Sequence, residues 1–459
     1  MSVTHTDTPR DRDIPYYRRK ISSTERGYLN AATQGSHPVI NLVIDGVGEL
    51  SAKRLQPAVA ITAQANPGLN VVRRGAFWVE SDLVPVVTEH WMGAGPRDDA
   101  DWTCAPFMHQ PFDPVRGPLC ALHIIHQPHG VSLVVRASHL ITDGRGLEHW
   151  TAELFRVLRG EDLEGSRHNT LTEQDYADAA RQRKAVPAPV SGSLMCPSPL
   201  RSNGRSPRDQ LTWYRLTTPH TASAMTARMM EVLAGFLVGP QARVFIPVDL
   251  RRHDRRSAST ANLSVPLYLD IDRDTRWRCA YGMLLQALSR GAELASVTSD
   301  FRRTNPVART IRQAQDVGRD GRFPCLAIIS DHGTARLADY TCASFTATGM
   351  HTLPMLVPYA AMFISSYTIP GRGTDLTLAC RHDDDAEIAR AILSAIANHI
   401  AAADTTDTAG PAVADQPATT STAAATSMAA ATSMAAAPST AAPSSMAAAS
   451  STTALNPAH

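Results

Sequence analysis

Apolar and polar positions alternate in blocks whose periods change along the chain. Val39 to Val47 (VINLVIDGV) is almost continuously apolar and predicts a buried strand. Ser51 is a plausible N-cap for a helix running to about Ala65, with Leu55, Val59 and Thr62 on one face. Pro67 and Gly68 end it, and two short strands follow, Leu69 to Arg73 and Ala76 to Glu80. Leu119 to His126 and Val131 to Ala137 predict a hairpin turning at Gln127 to Gly130. The next apolar residues, Leu147, Trp150, Leu154 and Leu158, repeat at helical spacing, and Gly160 is a natural C-terminal stop.

This alternation of strands and helices occurs twice, so the expected class is α/β (α+β) in two lobes. The predicted segments are a flexible N-terminus at 1–20, a first lobe at 21–185, a linker at 186–208, a second lobe at 209–403 and a tail at 404–459. Five prolines (187, 189, 197, 199 and 207) argue against regular structure in the linker. The tail is Ala, Thr, Ser, Pro and Met with near-repeats of ATSMAAA. It cannot bury enough apolar surface to offset its conformational entropy, and is expected to be disordered.

Bulk properties mainly exclude. The 459 residues are 43% hydrophobic, enough for a large core, and no stretch approaches the length of a membrane span. The polar start, Met1 to Lys20, lacks the apolar region of a secretory signal. A net charge of +1 argues against a protein that coats nucleic acid or anionic membrane. The seven cysteines are scattered with no C-x-x-C pair, which predicts reduced thiols, a cytoplasmic location and no zinc framework. His123, His126 and His129 have partial metal-ligand spacing, but alternation puts the first two on opposite faces of a strand, so no metal site is expected.

Candidate chemistry sits between the hairpin and the helix that follows, at Ser138-His139-Leu140-Ile141-Thr142-Asp143-Gly144-Arg145-Gly146. A histidine at a strand end can project into a cleft, and its near-neutral pKa suits it to take a proton. An aspartate four residues on can fold back across the turn or hold another segment through an arginine. A glycine lets the backbone bend and approach a ligand closely. Alone, the pattern is short enough to arise by chance.

Its flanks resemble those of the His-x-x-x-Asp-Gly acyltransferases: chloramphenicol acetyltransferase, nonribosomal peptide synthetase condensation domains and polyketide-associated acyltransferases. Ser22-Ser23-Thr24-Glu25-Arg26 with Tyr28-Leu29 is similar to the opening S-x-x-E-R-x-x-L of condensation-like proteins. Ala58 to Asn70 resembles their helix ending in H-P-x-L-R, and Gln110 to Ile125 their P-F-D-L-x-x-G-P-L-x-R run. Arg243 to Leu269 resembles the second-lobe P-V-D-L-R…G-N, and Ser330 to Gly333 weakly resembles S-N-x-G. The resemblance covers about Ile21 to His382. It departs in three places: Ser138 replaces the first of two histidines, Ala261-Asn262 replaces Gly-Asn, and the D-F-G-W-G motif of the plant-type branch is absent.

The resemblance implies two chloramphenicol-acetyltransferase-like lobes in a V, with a channel along their interface and His139 midway as base or as positioner of the nucleophile. It implies that Asp143 is structural and paired with Arg251, with Arg252 the second candidate, and that Gly144 shapes the turn. The Gly144 N–H is a further candidate for stabilising an oxyanion. The donor would be a thioester on phosphopantetheine, delivered by an acyl or peptidyl carrier protein or by CoA, with no bound cofactor. The acceptor would be the hydroxyl or amine of a small molecule, in specialised-metabolite biosynthesis. The alternatives are a non-catalytic carrier-binding module, and epimerisation of a tethered aminoacyl group, for which the sequence supplies no second acid or base. The run Arg251 to Arg256 reads as a solvated loop before it reads as a docking patch.

Overall fold

The computed structural model describes residues 16–32, 38–92, 103–183, 185–188, 194–201, 211–254, 258–297, 321–355, 357–381 and 384–407. In the first lobe, β1 (Arg18–Lys20) pairs with β4 (Phe77–Glu80), which pairs with β3 (Val71–Arg74). Helix α1 (Ser23–Ala32) follows β1 directly. Of the segment expected to be flexible, 1–20, residues 1–15 lie outside the described residues; within 16–20, Arg19 is buried against Glu25 at 2.8 Å, which ties β1 into the lobe.

The main sheet of this lobe contains β2 (Val39–Gly48), β5 (Val86–Trp91), β6 (Cys120–Gln127) and β7 (Gly130–Ser138). β6 and β7 form the predicted hairpin, closed by the Gln127–Gly130 pair. Alternation along β7 sends Leu133, Val135 and Ala137 into the core, where α2 (Ala52–Ala65) and α3 (Gly144–Arg159) pack. Trp150, Leu154 and Leu147 of α3 are fully buried there, each contributing on the order of 2–3 kcal/mol. Gly160 caps α3 in the left-handed conformation (φ 73°), as its position predicted. On the opposite face of the sheet, Val43, Ile125 and Val134 form a second apolar cluster with Met108 and Leu353.

The second lobe is a six-stranded sheet. Its order is β11 (Ser264–Asp272), β10 (Gln241–Asp249), β13 (Cys325–Thr334), β15 (Ala360–Ile369), β16 (Gly373–Arg381) and β9 (Leu211–Thr218). The central β10–β13 and β13–β15 pairs are parallel and the others antiparallel. Helices α5 (Met225–Gly235), α6 (Trp277–Arg290) and α7 (Ala386–Asp407) flank the sheet, and their apolar residues join its core.

Three expected boundaries change. β14 (Phe345–Leu353) belongs to the second half of the sequence, yet it pairs antiparallel with β2 and forms an edge of the first lobe's sheet. Within the linker, β8 (Cys196–Pro197) pairs with β12 (Arg322–Phe323), and the buried Cys196 Sγ accepts from Arg243 N. Only 185–188, 194–201 and these contacts are described there; 189–193 and 202–210 lie outside the described residues. The second lobe passes residue 403, because α7 continues to Asp407 and His220 Nδ1 lies 3.0 Å from Asp404 Oδ2. The remaining tail, 408–459, lies outside the described residues. No described helix is long and apolar enough to cross a membrane.

Candidate active site

The strand β7 ends at Ser138 and delivers His139 onto the turn before α3. Ser138, at the position of the missing first histidine, is buried, and its Oγ accepts from Leu140 N at 3.4 Å. His139 keeps part of its surface accessible. Its ring stacks on Tyr28 of α1, with centroids 4.7 Å apart. From the second lobe, Asn262 Nδ2 donates to the His139 carbonyl at 2.8 Å and lies 3.2 Å from Nδ1. Burial lowers the ring's basicity below the ordinary imidazole value; the Asp143 charge and backbone bonds at His139 and Thr142 oppose this. The net shift favours a neutral ring at neutral pH.

Asp143 is the N-cap of α3 and is 2% exposed. Its Oδ1 accepts from Gly146 N at 2.7 Å and its Oδ2 from Leu263 N at 2.6 Å. Arg251 Nη1 lies 3.1 and 3.0 Å from the two oxygens. Arg251 also donates to Asp249 Oδ1, to Ser259 O and to Ala261 O. The pair thus fixes residues 259–261, the segment that presents Asn262 to His139. Arg252 does not share in this pairing; it meets the buried Glu293 at 3.0 Å. Arg251 and Arg252 are therefore not a free basic patch, and Arg255 and Arg256 lie outside the described residues.

Gly144, the first residue of α3, is not among the positive-φ glycines, so the turn itself does not demand a glycine there. Its missing Cβ leaves room for the His332 ring, whose Cε1 would lie 3.1 Å from it. Gly146 is more constrained: a Cβ there would sit 2.6 Å from the Thr260 carbonyl oxygen.

The site gathers residues that the sequence reading did not assign. Asn262 and Tyr28 belong to quoted motifs but carried no role. Glu148 and His332 meet beyond the turn, at 2.7 Å. Among the described residues no cluster of three or more His, Cys, Asp or Glu is arranged to hold a metal ion. His123 faces His90 and Thr88, whereas His126 meets Glu89.

No protein-family model matches the chain, and no curated protein sequence is significantly similar to it. Solved structures are similar over most of its length. The epimerization domain from the third module of tyrocidine synthetase B superposes with a TM-score of 0.56 at 11% identity, covering 86% of this chain and 99% of that one. The chain has the condensation-domain fold. The condensation domain of the Monacolin K polyketide synthase gives a TM-score of 0.56 at 11% identity, over 85% of this chain and 98% of that domain. Polyketide synthase associated protein 5 from Mycobacterium tuberculosis gives 0.55 at 16%, over 85% and 100%. In this condensation-fold protein, His139 and Asn262 meet where the two sheets' elements come together.

Proposed function

We propose that the protein is an acyltransferase that moves an acyl group from a phosphopantetheine thioester to a hydroxyl or amine. The observation that carries this reading is His139: an accessible, weakly basic imidazole held by Tyr28 and Asn262. A neutral ring can bond the acceptor's O–H or N–H and take its proton as the carbonyl is attacked. Asp143 has its oxygens filled by Arg251, Gly146 and Leu263, so it builds the site without taking part in proton transfer. The Gly144 N–H at the start of α3 is the candidate donor to the developing oxyanion. The donor is a carrier protein or CoA thioester, the acceptor a small molecule of specialised metabolism, and the place of action the cytoplasm. The neighbours named as domains of tyrocidine synthetase B and of the Monacolin K polyketide synthase support this donor class.

The test is acyl transfer from a panel of carrier-bound and CoA thioesters, followed by mass spectrometry. His139→Ala is expected to abolish turnover with an unchanged melting curve. Full turnover in that variant removes the assigned role. Carrier binding without transfer to any acceptor would instead support a non-catalytic carrier-binding module, against which stands the retention of His139 and the complete Asp143–Arg251 pair.

A further inference from the structure

Across the turn from His139, the two lobes assemble a second set of reactive groups. Glu148 lies on the first lobe's α3, and His332 and Ser330 lie two residues apart on the second lobe's β13. His332 Nδ1 is 2.7 Å from Glu148 Oε1, and His332 Nε2 is 3.3 Å from Ser330 Oγ. Arg145 donates to Glu148 Oε2 at 2.8 Å, and Tyr367 donates to Oε1. Despite burial, Arg145, His332 and Tyr367 hold the Glu148 carboxyl down to about 2, so it is ionised throughout the neutral range. With an ionised acceptor at Oε1, a neutral ring carries its proton on Nδ1, which leaves the Nε2 lone pair facing the Ser330 hydroxyl.

The ring is also fixed sideways. It stacks on Tyr367 with centroids 4.4 Å apart and lies against Gly144. The ladder between β13 and β15 shifts register between Asp331 and Thr334, where Gly333 takes φ +70°. Such bulges re-aim side chains. Ser330 is half-buried and the His332 side chain is 10% exposed, so both retain an accessible edge. A hydroxyl near hydrogen-bond reach of an imidazole that is oriented by an ionised carboxylate is the arrangement of an activated nucleophile, and such contacts are commonly loose without substrate.

We propose that Ser330, His332 and Glu148 form a nucleophile–base–carboxylate relay, and that Ser330 accepts an acyl group from the thioester donor. The donor class rests on the function proposed above. Ser330 Oγ bonds the thioester carbonyl carbon while its proton passes to His332 Nε2. The carbon–sulfur bond then breaks, and the thiolate leaves with that proton as a free thiol. In the second half, the acceptor's oxygen or nitrogen, positioned by His139, bonds the same carbon and gives up its proton to His332 Nε2. The ester bond to Oγ breaks, and the proton returns to Ser330 through His332. Glu148 stabilises the imidazolium in each half.

The test uses the full chain with two reagents and no acceptor: an alkyl fluorophosphonate, and a short-chain acyl thioester of N-acetylcysteamine. Intact mass and peptide mapping read the adducts. The expected result is a single adduct from each reagent on the Ser330 peptide, absent in Ser330→Ala. His332→Gln, with an unchanged melting curve, should label about 100-fold more slowly, the loss expected when a general base is removed. No adduct from either reagent on the folded wild type overturns the proposal, as does an adduct that survives Ser330→Ala or forms at full rate in His332→Gln. A purely structural tie between the lobes would move none of these rates. The two readings fail separately. Turnover without an adduct keeps the transferase and removes the relay; adducts on a protein that acylates no acceptor keep the relay and remove the transferase.

Discussion

His139 is held by groups remote in sequence, and its chemistry depends on which ring nitrogen carries the proton. If Nδ1 donates to the backbone, Nε2 has a free lone pair and is the base. If Nδ1 accepts from Asn262, Nε2 bears the proton and the ring positions a nucleophile by donating to it. In either tautomer Asn262 sets the ring's place through its bond to the His139 carbonyl. Asn262→Ala is therefore expected to lower kcat by about 100-fold with little change in KM, as small misplacements of reacting groups do, and with a melting curve close to wild type. Steady-state kinetics on any thioester that proves to be a substrate would check it. His139, Asp143 and Arg251 were legible because residue type and local spacing, together with the motif resemblance, single them out. The Asn262–His139 contact spans 123 positions, and no periodicity encodes it.

Among the elements, the clearest translation of motif into mechanism is the S-x-x-E run that opens α1. Ser22 N donates to Glu25 Oε2 at 2.8 Å, and Glu25 N donates to Ser22 Oγ at 3.3 Å, a reciprocal cap of the helix that carries Tyr28. The same carboxylate takes the Trp78 indole N–H and the buried Arg19. A stretch read only by resemblance thus has a local physical purpose. The turn before α3 works in the same way: Asp143 caps the helix and simultaneously accepts from Leu263 and Arg251. Asp143→Asn replaces one acceptor oxygen with a donor facing another donor and leaves Arg251 partly unpaired. The expected loss is about 3–5 kcal/mol of stability, readable by urea unfolding. The role of Gly144 was less legible. Spacing suggested a bend, whereas the requirement is space for a ring from β13, a contact across 188 positions of chain that only the fold creates.

For the whole molecule, periodicity made the strands and helices between Val39 and Arg159 readable, but not the lobe boundaries. β14 and β2 come from opposite halves of the sequence, and neither strand's alternation records its partner. Stability as a function of pH is another whole-molecule property with a local origin. Glu173, at the start of α4 (Glu173–Arg181), is 1% exposed; its Oε1 accepts from Thr24 N, and its Oε2 has no partner among the described residues. Burial pushes its pKa up to about 7. The folded state then binds a proton that the unfolded state has released between about pH 4.5 and 7, so the wild type loses stability as pH rises through that window. Glu173→Gln should melt with the wild type near pH 4 and above it at pH 8, by an amount up to about 3 kcal/mol. Equal melting temperatures at pH 8 would show that the carboxyl ionises in the fold as readily as in the unfolded chain.

The exchange of β14 also bears on how the protein is made. A ribosome releases the first lobe's own strands well before residue 345, and that sheet then has an open edge at β2, with Leu42 and Ile44 awaiting Thr352 and Met350. Until the later strand arrives, nascent chains carry an unsatisfied β edge that can pair with a neighbour's. A fragment ending in the linker would carry that defect permanently, so separate expression of the halves is expected to give aggregation unless the missing strand is supplied.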